Sequence, residues 1–397
     1  MSLDETLLQR LAERRQKNLY RELKTLDRAP GPRAQLDGRQ LLVFSSNDYL
    51  GLASRAEVIA AQQAGAKLGA GATASHLVNG HLDIHRRLQG RIADATGREA
   101  ALVFSSGYLA NIGTICAVLG RPDNIVSDKL NHASLIDGAR LSGANSLRFA
   151  HSDLDSLQRQ LQSAVARGGK ILVAVDGVYS MDGDRAPLVE IAALCREFNA
   201  WLMVDEAHGF GVMGSESQPF AGSCAQAGLT QDEAPIVMGT LGKAAGNAGA
   251  FVAGSRALID YLVQFARPYI YTTGMPPAVA AGALAAIELM RDEPQLQWRL
   301  QKNITYFRQG ATALGLPLED TTSPIQPVLL GCERTVMAVA DKLQACGVLV
   351  GAIRPPTVPV GTARLRITLS AAHQRADLDE LLTALHQILP AAEVLGR

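Results

Sequence analysis

Five short stretches, at 101–104, 124–127, 171–175, 201–204 and 236–238, are apolar along their length rather than at alternate positions. A strand that is apolar on both faces needs both faces covered, and the usual solution is a parallel sheet with helices packed above and below it. Segments such as 154–166, between the runs, are long enough for crossover helices. The expected fold class is therefore α/β, with one large, mostly parallel sheet domain. Beyond Pro276 and Pro277 a helix-rich region begins, and 364–369 alternates Arg, Leu, Arg, Ile, Thr and Leu. That alternation has the period of a half-buried strand and points to a smaller α+β C-terminal domain. Residues 1–45 read as an N-terminal helical arm, an amphipathic helix followed by Ala29-Pro-Gly-Pro, too small to fold alone. The expected division is 1–45 for the arm, 46–285 for the large domain and 286–397 for the small one.

Charge excludes one class of partner. The 397 residues carry 38 Lys+Arg against 38 Asp+Glu, with no basic run of the kind that phosphate-backbone binding requires, so no nucleic acid is expected. The weakly polar stretch 276–290 is shorter than the ~20 residues of a membrane span and reads as a buried helix. The first fifteen residues mix charges with leucines and lack the pattern of a secretory signal, so a cytoplasmic protein without a membrane anchor is expected. Five scattered cysteines without a C-x-x-C pair read as buried thiols in a reducing compartment.

In open α/β sheets ligands bind beyond the carboxyl ends of the strands, and four of the five runs lead into reactive or phosphate-friendly groups. The first leads to Ser105, Ser106, Gly107, Tyr108 and Asn111, the third to Asp176 and Ser180, the fourth to Asp205 and His208, the fifth to Thr240 and Lys243. A carboxylate closing an apolar strand, as Asp205 does, needs a cation or strong donor, and a protonated ring nitrogen would serve. A capping role for Asp205 satisfies it equally. Lys243 lies among Gly239, Gly242, Gly246 and Gly249, where another molecule can approach the backbone and a desolvated lysine has the lowered pKa that imine chemistry requires, although a lysine in a glycine-rich loop is by itself more often solvated. A helix opening at Ser106-Gly107 offers free N–H groups to an anion, with the Thr240 hydroxyl in the same layer. Lysine, carboxylate and helix N-terminus together describe a pyridoxal-phosphate site.

Three competing motifs are weaker. Gly209, Gly211 and Gly214 match G-x-G-x-x-G, but Asp205 and Glu206 would place negative charge beside a pyrophosphate, and 215–220 opens no helix. Gly242-Lys243 lacks the first glycine of a Walker A loop. His76, His81 and His85 have no carboxylate or thiolate partner in sequence, so no metal is expected, and His81 with His85 reads as an exposed i, i+4 helix pair.

The stretch 240–246 (Thr-Leu-Gly-Lys-Ala-Ala-Gly) resembles the lysine signature of class II pyridoxal-phosphate aminotransferase-like enzymes. Ser46-Asn47-Asp-Tyr-Leu-Gly-Leu52, Asn131-His132-Ala-Ser134, 176–184 and Val204-Asp-Glu-Ala-His-Gly209 resemble the α-oxoamine synthases within that group, and the likeness runs over essentially the whole chain. These enzymes condense an amino acid with an acyl thioester and release CO2. The stretch 353–366, with Arg354-Pro-Pro-Thr357, is similar to the branch that joins L-alanine to a pimeloyl thioester in biotin biosynthesis. A branch using glycine and acetyl-CoA is the nearest alternative.

The resemblance implies fold type I of the pyridoxal-phosphate-dependent transferases. It implies that Lys243 holds the cofactor and moves the α-proton, that Asp205 pairs with the ring nitrogen, that His132 lies over the ring face, and that His208 and Ser180 bond the phenolic oxygen. Gly107, Tyr108 and Thr240 would hold the phosphate, with Thr272 or Thr273 supplied by a partner subunit, hence a homodimer. Arg366 would take the amino acid's carboxylate with help from Asn47, since on the alternating strand it shares a face with Arg364 and Thr368. Arg21 in the N-terminal helix, Thr357 and Arg354 would contact the acyl substrate, delivered on CoA or on acyl carrier protein.

Overall fold

The computed structural model describes residues 2–27, 31–316 and 318–393, so Ala29 and Pro30 of the Pro/Gly stretch lie outside the described residues. The chain divides into two compact units, one of Asp48–Ser180 with Asp184–Arg299, the other of Met1–Asn47 with Met181–Gly183 and Leu300–Arg397. Twelve strands are described: β1 (Arg33–Leu36), β2 (Arg39–Phe44), β3 (Ala100–Phe104), β4 (Asn124–Asp128), β5 (Asn145–Phe149), β6 (Ile171–Asp176), β7 (Trp201–Asp205), β8 (Ile236–Thr240), β9 (Ala250–Gly254), β10 (Ile325–Gly331), β11 (Val348–Ile353) and β12 (Ala363–Thr368).

The first unit is built on a seven-stranded sheet in the order β3-β9-β8-β7-β6-β4-β5. Pairing is parallel from β8 to β5, and β9 runs antiparallel to both of its neighbours. The five apolar runs are all strands. All six residues of β6 and all five of β3 and β4 are buried, as a sheet covered on both faces demands. The helix Leu154–Arg167 shows how the covering layer forms. Asp153 accepts the Ser156 amide at the start, Leu157, Leu161 and Ala164 make one buried stripe, and Gly168 ends it at φ +75°. Each fully buried leucine there contributes about 1.5–3 kcal/mol.

His151 ties two loops of this unit together, with Nδ1 3.0 Å from Asp128 Oδ1 and Nε2 2.9 Å from Asp184 Oδ2. Burial opposes charge on this imidazole, but the two carboxylates outweigh it and raise its pKa to about 10. Because the folded value exceeds the unfolded one of 6.5, the stabilisation is complete below that pH and is lost as pH rises through about 10. His151→Gln is therefore expected to lower the urea midpoint clearly near pH 6 and much less above pH ~10. Equal losses at both would remove the charge-based account.

The second unit contains a five-stranded sheet in the order β1-β2-β11-β12-β10, parallel only between β2 and β11. Two expectations are corrected here. Residues 33–44, read as part of a helical arm, are two strands of this sheet. The strand at 363–368 is not half-buried, because all six residues are buried, including Arg364 and Arg366, each 7% exposed. Its arginines alternate with apolar residues because one face carries buried polar bonds rather than water. The N-terminal helix Leu3–Gln16 begins with a capping box at Ser2 and Glu5 and buries none of its residues. It stops before Asn18, whose φ of +54° breaks the helical path, so Arg21 is not helical but lies in a segment without regular secondary structure.

Of the cysteines, Cys195 and Cys224 are buried, Cys116 is half-buried, and Cys332 and Cys346 are exposed, so the expectation of buried thiols holds for only some of them. Among the described residues no helix is long and apolar enough to cross a membrane.

Candidate active site

The carboxyl ends of β6, β7 and β8 meet the helices that follow β3 and β4, and the candidate groups of the α/β unit gather there. Asp176 and Asp205 are Cα partners at the ends of β6 and β7, both buried. Burial first, and then the charge of Asp205, push the Asp176 pKa well above the usual carboxylate range. Asp176 Oδ2 accepts the backbone N–H of His132 at 2.8 Å, which fixes the start of the helix Ala133–Ser142. Asp205 is 2% exposed, its Oδ1 accepting the Ala207 amide and its Oδ2 the side-chain amide of Asn111, both at 2.8 Å.

Asn111 extends the network. Its Nδ2 also donates to Ser134 Oγ at 2.8 Å, and Ser134 Oγ lies 2.7 Å from His132 Nδ1. Since Nδ1 also accepts the Ser134 amide at 3.3 Å, the network assigns the proton of a neutral His132 to Nε2. Burial lowers the His132 pKa, Asp205 opposing and Lys243 assisting. Asp205, Asn111, Ser134 and His132 thus form one hydrogen-bonded chain that locks the imidazole plane.

Lys243 Nζ lies 2.7 Å from His208 Nε2, and His208 Nδ1 lies 2.5 Å from the hydroxyl of the buried Tyr49. As an ammonium, Lys243 donates to Nε2 and the ring donates from Nδ1 to Tyr49; as a free amine it accepts from Nε2 while Tyr49 donates to Nδ1. The pair can therefore follow the lysine through both protonation states. The tight turn after the lysine closes by Gly246 N–H to Lys243 C=O at 2.8 Å. Gly246 has φ +59°, and a Cβ there would stand 2.2 Å from the Ala53 amide nitrogen. Gly246→Ala is expected to cost about 1–3 kcal/mol in a urea titration, through strain and backbone displacement; an unchanged midpoint would contradict this.

The helix Gly107–Val118 is capped by Ser106, whose hydroxyl accepts the Leu109 amide, and its first turn has no intrahelical acceptors for its N–H groups. Tyr108 is 42% exposed, bonds Asp137 through its hydroxyl and sets its ring edge-on to His132, centroids 6.5 Å apart. Thr240 Oγ1 donates to Gly249 C=O and accepts from the Gly242 amide, each at 3.1 Å, so its hydroxyl proton is spent within its own loop. Ser180 lies half-buried in the turn after β6.

Thr272 and Thr273 lie in a loop, Thr273 exposed, away from this cluster in sequence. The loop is held by the histidines. His85 Nε2 donates to Met275 C=O at 2.7 Å while its Nδ1 accepts the Leu82 amide at 2.9 Å, and Gly274 N–H donates to Ala74 C=O. His85 is fully buried, so the expectation of an exposed His81/His85 helix pair is wrong; the helix Asp83–Thr96 starts after His81. Ligand atoms of His76, His81 and His85 lie within 4.8 Å of one another, yet both nitrogens of His85 are already committed.

In the second unit, Arg366 Nη1 donates to Asn47 Oδ1 at 3.1 Å and to Thr368 Oγ1 at 3.0 Å, while Arg364 pairs with Asp182. Arg21 Nη2 donates to Thr357 Oγ1 at 3.1 Å, and Arg354 Nη2 donates to the Tyr20 carbonyl at 2.6 Å. The substrate-binding candidates of this unit therefore form two groups, Arg366 with Asn47, and Arg21 with Thr357 and Arg354. Tyr49, Asn111, Ser134 and Asp176 contribute as well; in sequence only Asn111 and Asp176 stand out, beyond strand ends and without an assigned role. Asn111 carried a signal, one helical turn beyond the Ser106 cap, where a polar side chain on a buried helix faces the strand ends.

The family model for class I and II aminotransferases matches residues 39–385. An 8-amino-7-oxononanoate synthase from Cellvibrio japonicus is 52% identical over 99% of this chain and 98% of its own. The serine palmitoyltransferase of Sphingomonas wittichii superposes with a TM-score of 0.92 at 31% identity, over 99% of this chain and all of that one. A structure of SPT with PLP gives 0.91 at 29% identity, over 99% and 100%. The chain belongs to the class I and II aminotransferases, enzymes of pyridoxal phosphate, and within them to the 8-amino-7-oxononanoate synthase group.

Proposed function

We propose that this chain catalyses the decarboxylative condensation of L-alanine with a pimeloyl thioester, giving 8-amino-7-oxononanoate, CO2 and the free thiol, a step of biotin biosynthesis. The observation that carries the reading is the pairing of Lys243 Nζ with His208 Nε2 at 2.7 Å beside the buried Asp205, in a chain so close to the Cellvibrio japonicus synthase.

The residues present fit pyridoxal phosphate: a lysine for its aldehyde carbon, a buried carboxylate for its ring nitrogen, an imidazole for its phenolic oxygen and a helix N-terminus for its phosphate. When bound, the cofactor supplies an electron sink that stabilises negative charge at the amino acid's Cα. Lys243 would tether it and would take and return the Cα proton of alanine, and His208 and Tyr49 can follow its change of charge. Asp205 would keep the ring nitrogen protonated, and His132, locked by Ser134, would hold the ring. Ser180 and His208 would bond the phenolic oxygen. The amides of Gly107 and Tyr108 would take the phosphate, with the Thr240 hydroxyl. Thr272 and Thr273 are the hydroxyls proposed to reach the phosphate in a second copy, which makes the working state a homodimer in the cytoplasm.

Arg366, with Asn47, grips alanine's carboxylate, and Arg21, Thr357 and Arg354 bind the acyl chain's far end or its carrier. Arg366→Lys replaces a bidentate fork by a point charge and is expected to raise the KM for alanine about tenfold or more while kcat changes much less. An unaltered KM would move the carboxylate elsewhere. Supplying the cofactor-loaded protein with alanine and pimeloyl thioester tests the function itself; glycine with acetyl-CoA is the competing pair.

A further inference from the structure

The loop that carries Thr272 and Thr273 is pinned from both ends by two buried histidines, His76 and His85, 8% and 0% exposed. Residues 271–275 form no helix or strand that would settle their backbone. Before them, the Tyr269 ring stacks on His76, planes 1° apart and centroids 5.1 Å apart. At the far end, imidazoles take both main-chain groups of Met275. Its N–H donates to His76 Nε2 at 3.4 Å, and its C=O accepts from His85 Nε2 at 2.7 Å. Gly274 fits closely against the same segment, since a Cβ there would stand 2.9 Å from the Gly80 carbonyl oxygen and 3.3 Å from His76 Cε1. Buried main-chain groups must find partners, and at Met275 side chains supply them in place of regular structure.

His85 does this in one tautomer. Its Nδ1 accepts the Leu82 amide at 2.9 Å, so the ring proton sits on Nε2 and points at Met275. Burial lowers its pKa and so favours that neutral ring. The anchors Gly274 and Met275 are buried, whereas Thr272 is half-buried and Thr273 exposed, and neither threonine hydroxyl bonds another of the described residues. We propose that His85, seconded by His76, is a positioning residue for the cofactor site of the second subunit, fixing the loop whose threonine hydroxyls reach the phosphate there, a role that rests on the reading of Thr272 and Thr273 given above. A rival path stays within one subunit. The Met275 side chain packs on Gly249 of the lysine loop, where a Cβ would stand 2.3 Å from Met275 Cε.

The test titrates cofactor-free protein with pyridoxal phosphate and follows the lysine-linked absorbance. His85→Asn keeps an acceptor for the Leu82 amide but is too short for Met275, whereas His85→Gln reaches Met275 from the place of Nε2. Affinity should fall about tenfold or more in His85→Asn, as when a hydrogen bond to a charged group is lost, and stay within about threefold of the wild type in His85→Gln. Amide hydrogen exchange over residues 271–276 of the cofactor-free protein should quicken in His85→Asn and not in His85→Gln. A mixed dimer of one His85→Asn chain and one Lys243→Ala chain then separates the two paths. Its one lysine-bearing site receives the intact loop of the other chain, so affinity there should return to within about threefold of the wild type. Should His85→Asn not fold, His76→Phe, which keeps the stack on Tyr269 but removes the acceptor of the Met275 amide, replaces it in every comparison. Wild-type affinity in the altered homodimer, or no recovery in the mixed dimer, would overturn the proposal. Thr272→Val with Thr273→Val tests the underlying reading by itself: unchanged affinity there would remove the hydroxyl contact and this role with it.

Discussion

Lys243→Ala is expected to lower turnover by at least about 10³-fold and to leave the purified protein without the visible absorbance of a lysine-linked cofactor. Both effects follow from one nitrogen. In the structure Lys243 Nζ lies 2.7 Å from His208 Nε2. Removing the amine would delete together the proposed covalent tether and the group proposed to move the Cα proton. The flanking turn is not the cause, because Gly246 and the Lys243 carbonyl close it through the main chain and alanine leaves that bond in place. The urea midpoint should therefore change little while activity collapses. A variant that keeps its colour and turns over within about tenfold of the wild type would show that another residue does this work.

Asp205→Asn is expected to reduce kcat by about 10²–10³-fold with the lysine-linked absorbance retained. The substitution keeps size but removes the negative charge proposed to keep the cofactor's ring nitrogen protonated. It also presents an amide where Asn111 Nδ2 and the Ala207 amide both need acceptors, so one of the two 2.8 Å bonds is lost. The loss of that bond reaches His132 through Asn111 and Ser134. Asn111→Ala separates the contributions, since it breaks the chain to His132 but leaves the charge of Asp205, and it should cost less than Asp205→Asn. If the order were reversed, the network rather than the charge would be the larger factor.

Strands that are apolar on both faces were legible because burial on both sides removes the polar alternation of an ordinary strand, and β3, β4, β6, β7 and β8 were recognisable on that ground. β5 escaped notice because its residues alternate in exposure at the edge of the sheet, and β9 because it follows directly on the glycine-rich lysine loop. Lys243, Asp205 and His208 were readable since position beyond a strand end already places a side chain. Tyr49, Asn111 and Ser134 act by touching those groups across the fold, and contact of that kind depends on packing that spacing does not encode. Arg21 was placed on a helix because the charge pattern continues past Gln16; Asn18 in the left-handed region ends the helix first. The buried arginines of β12 had the period of an exposed face, and their partners, Asp182, Asn47 and Thr368, come from other loops or from the strand itself.

The most direct test is a matrix of substrates: the cofactor-loaded protein is given L-alanine or glycine with pimeloyl or acetyl thioester, and amino ketone, CO2 and thiol are measured together. The account predicts turnover highest for alanine with the pimeloyl thioester, with the three products formed in equal amounts and all three abolished in Lys243→Ala. Thiol release without CO2, or a preference for glycine with acetyl thioester, would contradict it.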